Sequence, residues 1–378
     1  MTLTSISMPN NNILYIVSSL ERGGLELRLF DFASRFPDAY TIHICVTSDR
    51  VDLIDKFKKT KARILIVPIN KAYFEYGNLK KIKLYVIENN IKVINTYDFK
   101  GLIVGCLLKM CARPRVALIH NTVDLLHNYK FRHKFIIKFL FRYVDRSICN
   151  SVQARDILVS LGVKNSLIDV INNGVDLEIF RPDSEKRHFM RSRYGIADDE
   201  MVIGTVANFR WEKNYPFLIE SFSELISKYT KLKLLCVGGG DAMTEIMALA
   251  KESGVYDMTL FPGAVDNVHD YLGMMDIFVL CSLKESFPNS VIQAMSMRLP
   301  VIVPNIGACN DIVSDGVDGF IYKVKSKSQF LERIEKLLLD KTNSSIIASF
   351  GNKKVKECFS INAMITNYIN LYDRVITY

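Results

Sequence analysis

The chain has 378 residues, a formal net charge of +9 and 49% hydrophobic residues, which is more than one ordinary core needs and points to two domains. That balance excludes a disordered chain. The eight cysteines are scattered, without a Cys-x-x-Cys pair or a histidine cluster beside them, which argues against a disulfide framework and a zinc site and fits reduced, mostly buried thiols.

The start of the chain shows no basic leader, and the most apolar stretch, 101–112, contains Lys109 and is too short to span a bilayer. A cytoplasmic protein is expected, with peripheral attachment to the inner face of the plasma membrane as an added possibility. A buried strand is predicted over 13–18, then the glycine turn Gly23–Gly24, then a helix over 24–36 in which Leu25, Leu29, Phe32 and Ala33 recur at helical spacing. Strands follow at 40–46, 64–68, 93–96, 115–120 and 146–150, each leading into a helical pattern. Such alternation predicts an α/β fold with a parallel, doubly wound sheet.

Cations concentrate in this first part, at 56–63, 80–83 and 129–146. In the last run Lys130, Arg132, Lys134, Lys138 and Arg142 interleave with Phe131, Phe135, Ile136, Phe139, Leu140 and Tyr143, the pattern of an amphipathic basic helix with an aromatic face. Two readings stand: the rings pack on their own sheet while the charges stay in water, or the helix meets an anionic membrane surface. No nucleic-acid recognition motif accompanies the charge, so nucleic acid is not expected as a partner.

Turn chemistry with glycine and proline over 172–183 marks a linker. A second alternating series follows: strand 201–207, helix 214–228, strand 233–238, helix 242–252, strand 258–262, helix 267–274 and strand 276–281, with a helical segment at 344–377. The simplest architecture is two Rossmann-like domains facing across a cleft, 1–175 and 176–360, with a C-terminal helix at 361–378 crossing back to the first domain. Ligands then sit at the carboxyl ends of the strands.

The stretch 276–303 reads as strand, loop, helix, strand, the arrangement that presents unpaired helix-start amides to a phosphorylated ligand. Asn289 suits the helix N-cap, with Glu285 and Gln293 flanking one ligand position. The loop after strand 201–207 carries Arg210 and Lys213, two cations able to converge on a diphosphate. Glycine loops at Gly23–Gly24 and Gly238–Gly240 allow close backbone approach, although each is also an ordinary tight turn. Acidic pairs of magnesium-binding spacing are absent from this region, so a cation clamp is expected to neutralise the phosphate charge.

These pieces together resemble glycosyltransferase family 4, retaining enzymes of the GT-B fold, over essentially the whole chain. The resemblance is carried by Gly23, Gly24 and Glu26; by His120; by the NGVD run with Phe180 at the linker; by Lys213, the glycine loop at 238, the FPG at 261–263 and Asp276. Above all it is carried by Glu285, the SFPNSVI that follows, Gln293 and the PVIVPNIG and DIVSDGVDGF beyond. It implies that Lys213 holds the donor diphosphate. Asn208 stands where the family has an arginine, and Arg210 is the expected substitute. Glu285 matches the glutamate beside the donor sugar, whereas Gln293 replaces the one on the ribose hydroxyls. Backbone around Phe287, Pro288, Asn289 and Ser290 is implied to meet sugar and phosphate, Gly238 and Gly239 the base or ribose, and Gly23 and Gly24 the donor from the other domain. His120 is implied to lie near the reacting centre. An amide at 293 cannot accept from both hydroxyls as a carboxylate does, a loss of roughly 1–2 kcal/mol in nucleotide affinity.

The activity implied is transfer, with retention, of a hexosyl or N-acetylhexosaminyl unit from a nucleotide diphosphate sugar to a lipid-linked glycan in cell-surface polysaccharide or O-antigen assembly, with no metal and no further cofactor. A nucleotide-sugar epimerase and a non-catalytic sugar-nucleotide-binding subunit remain as alternatives. A dinucleotide-dependent oxidoreductase fits less well, because the glycine fingerprint with its ribose acid is missing.

Overall fold

The computed structural model describes residues 11–21, 24–69, 76–111, 115–122 and 131–377. They form two compact units: one comprises the chain up to Ile171 together with the segment from Ile365 onward, the other Asn172–Met364.

In the first unit the strands are β1 Asn11–Val17, β2 Tyr40–Val46, β3 Arg63–Ile66, β4 Ile91–Thr96, β5 Ala117–Thr122, β6 Arg146–Cys149 and β7 Ile168–Val170. Between them run helices α1 Gly24–Arg35, α2 Ile54–Phe57, α3 Tyr76–Glu88, α4 Phe99–Cys111, α5 Phe131–Leu140 and α6 Val152–Ser160. Among the described residues the sheet order is β3-β2-β1-β4-β5-β6-β7, and every neighbouring pair is parallel. Helices cover both faces of such a sheet, which is why Ile13–Val17 is a continuous apolar run with no exposed side chain. Of the basic stretch, residues 129 and 130 lie outside the described residues. Along α5 and the turn after it, Ile137, Phe141 and Val144 are buried while Ile136 and Phe139 are exposed.

The second unit begins with helix α7 Ser184–Arg193 and continues β8 Met201–Val206, α8 Tyr215–Ile226, β9 Leu232–Val237, α9 Met243–Glu252, β10 Thr259–Gly263, α10 Val268–Met274 and β11 Ile277–Val279. It ends with α11 Asn289–Ser296, β12 Val301–Pro304, α12 Cys309–Ile312, β13 Phe320–Tyr322, α13 Lys327–Leu339 and α14 Lys341–Cys358. The strand order is β10-β9-β8-β11-β12-β13, again parallel throughout. Each sheet reverses its winding direction once, between β1 and β4 and between β8 and β11, and ligands of open α/β sheets bind outside the strand ends at such a switch. All eight cysteines are free, with Cys111 and Cys358 exposed and the others buried.

The helical stretch expected at 344–377 is two helices, α14 and α15 Ile361–Ile376. The break falls at Phe359–Ser360 because the Ser360 backbone bridges to Val175 and its hydroxyl accepts from the Ala363 amide, capping α15. Within the first unit, α15 is fastened by a buried polar network. The Tyr368 hydroxyl donates to Asn121 Oδ1 at 2.8 Å, Asn95 Nδ2 donates to the Tyr372 hydroxyl at 2.6 Å, and Tyr372 shares a 2.6 Å hydrogen bond with Tyr15. Asn121 closes it by donating to Asn95.

A second, partly buried network sits at the amino end of β11. Asp276 accepts from Arg187 Nη2 at 2.6 Å, Arg191 Nη1 at 3.2 Å and the Val202 amide at 2.8 Å. Arg191 is 3% exposed, and its other bonds go to the carbonyls of Met274, Ala197 and Glu200.

At its carboxyl end α11 stops in a Schellman turn, in which the Leu299 amide reaches the Ala294 carbonyl and the Arg298 amide that of Met295, both at 3.1 Å. The left-handed position of that turn holds Arg298, at φ 57°, where glycine carries no Cβ penalty. Arg298→Gly is expected to stabilise the protein by ~0.5–1 kcal/mol, the relieved strain exceeding the added unfolded-state entropy. A urea midpoint that falls instead of rising would contradict this.

Candidate active site

Beyond β8 the chain is held tightly. Phe209 is buried and stacks on Tyr215 with ring centroids 4.1 Å apart, and the Tyr215 hydroxyl donates to the Ala207 carbonyl at 2.6 Å. A short 3₁₀ turn, Trp211–Lys213, follows, then Asn214 in the left-handed conformation at φ 55°, just before Pro216 in the first turn of α8. This fixes the direction of Lys213. Its ammonium donates to Glu285 Oε1 at 2.6 Å, and the Ser282 hydroxyl donates to the same oxygen at 2.7 Å. Lys213 and Glu285 come from the loops after β8 and β11, so their ion pair spans the switch point of the second sheet. The Leu283 amide, bonded to the Glu212 carbonyl at 2.7 Å, ties the two loops directly. The side chains are 20% and 11% exposed, so the pair is screened less than a surface bridge. Both donors meet Oε1, so Lys213 and Ser282 together fix the direction of the Glu285 carboxylate.

The expectation that Asn289 caps α11 is corrected. Pro288 occupies the cap position, at φ −78° and ψ 93°, with no side-chain cap, and Asn289 is the first helical residue. A proline sits well just before a helix because its fixed φ suits the approach. Asn289 Oδ1 instead accepts from Asn173 Nδ2 at 2.8 Å, tying the NGVD run to the helix start. No side chain at the cap covers the first-turn amides at Asn289 and Ser290, and the positive end of the helix lies there. Phe287 is buried with its ring against Phe359, holding the loop from below. Gln293 lies one turn further along α11, half-buried.

Gly238 and Gly240 both have φ 147°, and a Cβ at Gly238 would stand 2.0 Å from the Ala207 carbonyl oxygen. The Phe209 amide donates to the Gly239 carbonyl at 2.9 Å. These glycines let the loop after β9 lie flat on the 207–209 backbone, and so support the segment that carries Lys213. Asn208 and Arg210 are exposed on that segment.

In the first unit, Gly23 lies outside the described residues, and Gly24 is the first residue of α1. Glu26, in the first turn, has its carboxyl pushed up by burial, with Glu21 and Asp98 adding to the effect. Asp98 bridges the β1/β4 switch by accepting from the Ser18 amide at 3.0 Å and the Gly101 amide at 2.6 Å. His120 is 7% exposed on β5, shares a 2.9 Å hydrogen bond with Thr96 Oγ1 through Nδ1, and meets the Phe141 ring edge-on. Burial pulls its imidazole down to about 4, so it is neutral at pH 7.

Residues 22–179 match Glycosyltransferase Family 4, and residues 186–354 match Glycosyl transferases group 1. The chain belongs to these glycosyltransferases. The Staphylococcus aureus capsular polysaccharide biosynthesis glycosyltransferase CapM is 29% identical over 326 residues, 82% of this chain and 84% of that one. The Escherichia coli UDP-Gal:alpha-D-GlcNAc-diphosphoundecaprenol alpha-1,3-galactosyltransferase is 25% identical over 307 residues, 77% and 78% of the two chains. Among solved structures, Anabaena Alr3699/HepE in complex with UDP superposes with a TM-score of 0.87 at 19% identity, covering 96% of this chain and 100% of that one. At that identity the likeness establishes the GT-B fold.

In this glycosyltransferase two supporting groups, one in each unit, escape a reading by motif. Ser282 is a short polar residue at a strand end, and only the folded loop turns its hydroxyl to Glu285. Asp98 directly before the helical pattern of α4 carried a cap signal of the usual kind. Nothing in the sequence showed that the Ser18 amide also needed it.

Proposed function

We propose that this glycosyltransferase moves a hexosyl or N-acetylhexosaminyl unit from a nucleotide diphosphate sugar to a hydroxyl of a lipid-linked glycan, with retention and without a metal, in cell-surface polysaccharide assembly. The observation that carries this reading is the Lys213–Glu285 pair across the β8/β11 switch, beside the open start of α11. As the bond from the anomeric carbon to the phosphate oxygen breaks, charge grows on the diphosphate, where Lys213, Arg210 and the helix start stabilise it. Glu285 holds a sugar hydroxyl. The acceptor oxygen bonds to the anomeric carbon on the face the diphosphate leaves, and its proton passes to a departing phosphate oxygen. Gln293 would take the ribose and neutral His120 would hydrogen-bond near the reacting sugar.

Support for the substrates comes from relatives. The Escherichia coli enzyme is named for a UDP-Gal donor and a diphosphoundecaprenol-linked acceptor, and a Campylobacter jejuni relative, 29% identical over 266 residues, for a diphosphoundecaprenol-linked acceptor as well. A lipid-linked acceptor fits α5, where Ile136 and Phe139 are 44% and 51% exposed beside Lys138 and Arg142. That surface suits peripheral contact with an anionic leaflet. Among the described residues no helix is long and apolar enough to cross a membrane.

The test is a screen of UDP, GDP and ADP sugars against GlcNAc-diphosphoundecaprenol and related phosphate-linked sugars, with and without EDTA. One donor class should give a product whose new linkage keeps the donor's anomeric configuration, at a rate EDTA leaves unchanged. An epimerised donor without transfer, or an inverted linkage, would defeat the proposal.

A further inference from the structure

The two loops that carry the ion pair also present an aromatic and a cation to solvent. Trp211, the single tryptophan of the chain, is 69% exposed, and the Lys284 ammonium stands over its ring 5.6 Å from the centroid. The pairing follows from the loop architecture. The backbone bond from Leu283 to Glu212 sets the preceding residue, Trp211, against the following one, Lys284. Tryptophan has a large apolar face and is rarely left in water without use, and it is enriched where proteins bind ligands and partners.

We infer that Trp211 and Lys284 form the platform for the acceptor: a pyranose ring linked to phosphate, whose C–H face lies on the indole while the ammonium meets its phosphate. This rests on the function proposed above and adds the second substrate's contact point. A donor sugar has the same ring chemistry, but depth separates the two. Glu285 and Lys213, at 11% and 20% side-chain exposure, form the inner pair suited to the donor, whereas Trp211 and Lys284 form the outer rim. A second sugar that enters over the inner pair meets the rim. The stack is worth most when a ring covers the exposed indole and excludes water from the cation.

With a single tryptophan, the emission of the unmodified protein reports this position alone. Four probes decide the matter: UDP; GlcNAc-diphosphate on a short isoprenoid, added with UDP saturating; the same isoprenyl diphosphate without sugar; and sugar-free vesicles of phosphatidylglycerol and phosphatidylcholine. Emission should change saturably with the sugar-bearing probe and far less with the other three. In transfer assays Trp211→Ala should raise the acceptor KM about tenfold with donor KM within about twofold, and Trp211→Phe should recover most of the loss. The emission arm needs no turnover, so failure of the transferase reading shows separately, as absent turnover in the unmodified protein. No emission change with the sugar-bearing probe, an equal change with isoprenyl diphosphate or vesicles, or a donor KM that rises with the acceptor KM would each overturn the assignment.

Discussion

Lys213→Ala should lower kcat/KM for transfer by about 10²–10³, the usual cost of removing one group that stabilises developing charge in a water-poor site. The ammonium sits 2.6 Å from Glu285 in the resting protein. When the diphosphate arrives, the same cation faces two sources of negative charge, and the larger increase comes as the sugar–phosphate bond breaks. More of the loss should therefore appear in kcat than in donor KM. The variant also leaves Glu285 with Ser282 as its remaining partner, so a thermal melt must accompany the kinetics. A folded variant with nearly unchanged kcat/KM would remove Lys213 from the chemistry.

Asp276→Ala should cost about 3–5 kcal/mol of stability, the usual penalty for stranding one charge of a buried pair. Arg191 would keep its carbonyl partners but lose the carboxylate that balances it, Arg187 would lose its shortest bond, and the Val202 amide at the edge of β8 would lose its acceptor. For a unit of this size the melting temperature should fall on the order of 10 °C. Asp276→Asn, which keeps an acceptor for the Val202 amide, should lose less. A melt for Asp276→Ala within a degree or two of the parent would show that the network carries little of the fold's stability.

The alternation of apolar runs with helical patterns made both sheets legible, because buried parallel strands must be continuous apolar runs and the helices between them amphipathic. That Lys213 and Glu285 stand on loops at strand ends was legible too. Their mutual ion pair was not, since it depends on two loops that meet only when β8 and β11 are neighbours. The Asn289 cap failed for a local reason: Pro288 took the cap position, and the Asn289 carboxamide turned to Asn173, more than a hundred residues earlier in the chain. Helix α7 was invisible as a structural element with a purpose, because its arginines gain their partner only when Asp276 is brought up beside them. The glycines at 238 and 240 were visible, yet their closest neighbours are backbone atoms of another loop, which no spacing rule describes.

The tyrosines of α15 give the first unit a schedule as well as a contact. Tyr15, Asn95 and Asn121 are made early, but their buried polar atoms wait for Tyr368 and Tyr372. At roughly 5–20 residues per second, that wait is on the order of ten to forty seconds of synthesis after Ile171 has been added. Throughout it the first sheet carries polar groups without their final partners, and the whole second unit is made in the meantime. The first unit is thus begun before the second and finished after it.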